Sequence, residues 1–92
     1  MKQVLHSKLG EMIKALEKKD LIKFEGLSQE FAGLELRIWG SPSVMVKDPV
    51  ARRYDLARNA LTYYSGFVKG LEHYDPFKGH LEKAKQLYAG LS

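Results

Sequence analysis

DPVARRYDLARNALTYYSGFVKGL, residues 48–71, is the longest unbroken helical pattern in the chain. Val50, Tyr54, Ala57, Leu61, Tyr64, Val68 and Leu71 recur at alternating spacings of four and three. That is the period of one helix face, and it does not fit the two-residue alternation of a strand. Leu56, Ala60, Tyr63 and Phe67 form a neighbouring row that widens the apolar arc. A face this wide suits a central helix with more than one neighbour. Arg58, Thr62, Ser65, Lys69 and Glu72 are left for its solvated side. Asp48 can cap the free amides of the first turn, and Pro49 fits a first helical position, where no amide partner exists. The pattern predicts a helix over 49–72.

The same Asp-Pro signal recurs at Asp75-Pro76, where Phe77, Leu81, Ala84, Tyr88 and Leu91 predict a helix over 76–89. Upstream, Leu5, Leu9, Met12 and Leu16 predict a helix over 2–18, and Leu21, Phe24, Leu27, Phe31, Leu34 and Ile38 one over 21–38. The link between these two is so short that they must form an antiparallel hairpin. Near its end the second helix gains another apolar set, Ala32, Leu36 and Trp39, which predicts deeper burial there. Trp39-Gly40-Ser41-Pro42-Ser43 reads as a stop and turn, followed by the short apolar piece Val44-Met45-Val46. The expected fold is therefore all-α: one domain over 1–92, a small antiparallel four-helix bundle with its third helix the longest.

Composition narrows the function. Hydrophobic residues make up 45% of the chain and charged residues 28%, as in an ordinary globular domain. The absence of cysteine excludes disulfide scaffolds, thiolate metal sites and thiol catalysis. No apolar run reaches the length of a membrane span, and residues 1–16 carry charges throughout, unlike a secretory leader. A cytoplasmic protein is expected.

Few residues point to chemistry. His6, His73 and His80 have no helical metal-ligand spacing, so His73 and His80 read as exposed residues at helix ends. Glu11, Glu17, Glu25, Glu30 and Glu35 sit among lysines and read as solvated faces. Ser41 and Ser43 have no histidine beside them to activate a nucleophile. Gly66-x-x-x-Gly70 lies within a helix, the wrong context for a phosphate loop; close helix approach is its simplest reading. The sequence therefore implies no enzyme, no cofactor and no small-molecule substrate.

Two binding readings remain. The first is a protein-interaction or assembly module, possibly self-associating. It rests on apolar residues beyond what a small bundle covers: Trp39, Val44, Met45, Val46, Tyr63 and Phe67. For Trp39 and Val44 taken alone, a link folded back over the end of the bundle is the simpler expectation. The second is nucleic-acid binding through a basic segment over 37–58. Arg37, Lys47, Arg52, Arg53 and Arg58 stand there against only Asp48 and Asp55, beside a helix start whose amides favour phosphate. Arg53 points away from Arg52 and Arg58 on the helix, which splits that patch.

Overall fold

The computed structural model describes residues 2–70 and 79–91. These form five helices: α1 (Lys2–Glu17), α2 (Leu21–Trp39), α3 (Pro42–Lys47), α4 (Pro49–Val68) and α5 (His80–Leu91). The fold is all-α, and α4, at 20 residues, is the longest element. It packs against all four other helices, though Leu56 and Tyr63 of its second apolar row stay exposed. Tyr54 and Leu61 of α4 are buried together with Ala51, Ala57 and Ala60, whose small side chains let the neighbouring helices come close.

Leu5, Leu9, Met12 and Leu16 of α1 are fully buried, and Phe24, Leu27 and Phe31 of α2 complete the centre of the core. The α1–α2 hairpin turns without glycine. Lys19 takes a left-handed conformation (φ 58°), while the Asp20 amide donates to Ala15 O at 2.8 Å and the Lys19 amide to Leu16 O at 3.0 Å. This pair of bonds closes a helix in the Schellman manner, with lysine where glycine is usual. Asp20 then caps α2 by accepting from the Lys23 amide at 3.1 Å.

Several expectations need correction. Val44-Met45-Val46 is not an irregular link but part of α3, capped by Ser41 with Pro42 in its first turn. α4 ends at Val68, short of residue 72, and Gly70 has a φ of 79° that a helix does not continue. α5 begins at His80, after Gly79 at φ 103°; Pro76 and the predicted start there lie outside the described residues, as do Glu72 and His73. At Gly66 and Gly70 an added Cβ would meet nothing within 4 Å among the described residues, so no described helix approaches closely there. It occurs at Gly10, where a Cβ would lie 2.9 Å from the Tyr88 hydroxyl. Ser65 is buried rather than solvated, its hydroxyl donating to Thr62 O at 2.6 Å.

Candidate functional site

The junction of α2, α3 and α4 is fixed by Asp48. One carboxylate oxygen accepts from the Val50 and Ala51 amides at 2.8 and 3.2 Å, capping α4. The other accepts the indole N–H of Trp39 at 2.9 Å. The Ala51 amide, joined by the indole, the Val50 amide and the nearby Lys2, holds the Asp48 carboxyl below its usual range. Trp39 is thereby pinned into the core against Tyr54, with the Lys2 ammonium 6.0 Å from its ring centre. The chain from Trp39 to Asp48 folds back on the bundle, and α3 leans on both α2 and α4.

That leaning leaves an open groove of about 350 Å³ between the three helices. Ala32 and Leu36 of α2, Pro42, Met45 and Val46 of α3, and Ala51 of α4 make its apolar walls. Glu35, Asp55, Arg58 and Arg52 supply its polar side. Arg58 lies between the two acids: its guanidinium donates to Asp55 at 3.0 Å, and its Nε is 3.5 Å from Glu35 Oε1. The second contact is an ion pair without hydrogen-bond alignment. Arg58 Nε and Glu35 Oε2 are both buried without a hydrogen-bond partner among the described residues.

Glu35 is 2% exposed. Burial raises its carboxyl from 4.5 to about 7; Arg58 opposes that rise and Asp55 adds to it. An unpaired acceptor buried in an apolar wall is costly. The groove thus combines apolar walls with a charged edge of Asp55, Arg52 and Arg58, and Glu35 lies sealed beneath it.

No family model matches this chain, and neither does any curated protein or solved structure.

The structure divides the predicted protein-binding set. Met45 and Val46 line the groove, and Val44 is exposed on the same short helix. Trp39 is buried and serves the fold. Tyr63 is 64% exposed on α4, its ring against His80, while Phe67 is half-buried beside Tyr64. The basic set does not converge. Arg58 is half-buried in its ion pairs, Arg52 rims the groove, and Arg37 borders a separate depression beside Val4 and Lys8. Lys47 and Arg53 are exposed and line neither depression. Among the described residues no group of histidines and acids could hold a metal, and no helix is long and apolar enough to cross a membrane.

Glu35 is the residue that sequence reasoning misplaced. Its burial was legible in the spacing: Leu27, Phe31, Glu35 and Trp39 follow one another at four-residue steps, and all four are buried. Choosing Leu34 and Ile38 as the continuation of the stripe left Glu35 on the wrong face.

Proposed function

We propose that this protein is a non-enzymatic helical interaction module, working in the cytoplasm, that seats a protein partner in the α2–α3–α4 groove. The observation that carries the reading is the apolar groove itself, walled by Ala32, Leu36, Pro42, Met45, Val46 and Ala51 and open between three helices. A partner side chain that fills the groove removes this apolar surface from water, and a charged rim of Arg52 and Asp55 is left to orient it. Exposed Leu36 and Val46 on the groove margin extend the apolar contact.

The test is a peptide-display selection against the folded domain. Peptides that bind the wild type and lose at least about tenfold in affinity for Met45→Glu support the groove, since a desolvated charge there costs well over 1.4 kcal/mol. Peptides indifferent to Met45→Glu, or a selection that enriches nothing, refute it.

A further inference from the structure

The open side of the α2–α3–α4 groove is aliphatic. Leu36 is 50% exposed and Val46 68%, and Val44 is exposed on the same short helix. Apolar side chains gathered at one opening form a patch, which scattered ones do not.

The charge free to act at that opening is positive. Asp48 is engaged by two amides and the Trp39 indole, and Asp55 holds Arg58 at 3.0 Å. Glu35 is sealed beneath the groove, and burial keeps it partly protonated near neutral pH. Among the described residues, Arg52 is the lining charge without an ion pair, and Lys47, next to Val46, is exposed and has none either. The acids that line the groove are therefore already paired or buried, while two cations at its edge are free.

We propose that the partner is an acidic amphipathic helix, its apolar row seated in the groove and a carboxylate flanking that row paired with Arg52. This rests on the groove reading above and names the partner's chemistry.

Charge and shape agree on this occupant. Three helices bound the groove, and a further helix laid between them covers Leu36 and Val46 as well as filling the space beside Met45. Residues three and four apart are neighbours on a helix surface, so a partner's acid one turn from its apolar anchor reaches a rim residue while the anchor is buried. A phosphate would satisfy Arg52 but leave the aliphatic opening in water. Arg53 is consecutive with Arg52 but about 100° round α4, and it does not line the groove, so it lies outside the contact.

The test takes the Met45-dependent peptides of the display selection and titrates each against the intact chain at physiological salt. They should carry Asp or Glu within about one turn of their apolar anchors. Arg52→Glu should weaken them at least about tenfold, since it replaces an attraction with a like-charge contact. Arg53→Glu, the same change in net charge, should stay within about threefold. A peptide whose acids are changed to lysine should bind Arg52→Glu at least about tenfold more tightly than the wild type. Both substitutions are at exposed positions, and circular dichroism checks that each variant folds. Neutral or basic Met45-dependent peptides, equal losses in the two variants, or a lysine peptide with no preference for Arg52→Glu overturn the acidic helix and leave the groove standing. Displacement of the peptide by micromolar mixed-sequence DNA or RNA overturns it in favour of phosphate. A dimer of the unliganded chain that Met45→Glu dissociates overturns it in favour of a second copy. Binding that never depends on Met45 removes the groove and its partner together.

Discussion

Near neutral pH the carboxyl of Glu35 is balanced between its two forms, because burial lifts it to about 7. In the unfolded chain the same group titrates near 4.5. Between these values the folded protein holds a proton that the unfolded chain has released, so stability falls as pH rises through this window. The contribution is complete below the unfolded value and gone above the folded one. Its ceiling is about 3 kcal/mol, from the separation of the two values. Denaturant unfolding at about pH 5 and about pH 8 should show the wild type less stable at the higher pH. Glu35→Gln, which cannot ionise, should flatten most of that difference and be the more stable protein at the higher pH. An unchanged slope in Glu35→Gln would assign the pH dependence to other groups. Lys19 makes a second prediction. A non-glycine residue in the left-handed region carries a steric cost that glycine avoids, partly offset by glycine's freedom in the unfolded chain. Lys19→Gly should therefore raise stability by about 0.5–1 kcal/mol, read from the denaturation midpoint at constant m-value.

Among the elements, helix interiors separate glycines that serve packing from those that do not. Gly26 and Gly33 of α2 are exposed and have open space among the described residues where a Cβ would stand, so Gly26→Ala and Gly33→Ala should each stabilise by up to about 1 kcal/mol through helix propensity. Gly10 of α1 faces Tyr88, whose ring stacks on His6 with centroids 4.1 Å apart. Gly10→Ala should lower Tm, because it displaces that ring and, with it, the packing of α5 on α1; a rise in Tm matching the α2 variants would show that the contact carries no weight. The sequence contained more of this fold than periodicity alone reveals. The stripes of α1, α2 and α4 were plain because each spans several turns with few exceptions. α3 was overlooked because six residues are too few to show a period. Its start was nevertheless written in Ser41-Pro42, the same cap-and-proline signal that marked α4 at Asp48-Pro49. The early end of α4 follows from Gly70, whose positive φ no spacing of apolar residues could foretell. The groove was invisible for a different reason. It arises where α3 leans across α2 and α4, a contact between segments that sequence places apart, and its polar end is a glutamate read as solvent-facing.

For the molecule as a whole, the remaining question is what its charge is for. Fifteen lysines and arginines stand against eleven acids, and four arginines gather between residues 37 and 58. Phosphate binding needs those cations to converge and to be free. Arg58 is committed to Asp55 and Glu35, whereas Arg37, Lys47, Arg52 and Arg53 are exposed and have no ion pair among the described residues. Arg52 and Arg53 are consecutive on α4 and so point about 100° apart, and Arg37 borders a different depression from Arg52. A duplex or strand laid along one side engages only part of the set. If all four exposed cations met phosphates, the logarithm of affinity would fall with the logarithm of salt at a slope of about −4 on duplex DNA. Fewer contacts give a shallower slope and weaker binding. Fluorescence anisotropy with labelled mixed-sequence RNA and DNA should therefore show no better than about 100 μM affinity at physiological salt. The double variant Arg37→Glu/Arg53→Glu, at exposed positions that do not line the groove, should leave Met45-dependent peptide binding within about threefold, less than 1 kcal/mol. Micromolar binding with a slope near −4 that the double variant abolishes would move the working surface from the groove to the basic segment. In that event the chain would be a nucleic-acid binder whose arginines the fold brings together in a way that their separation on α2 and α4 does not suggest.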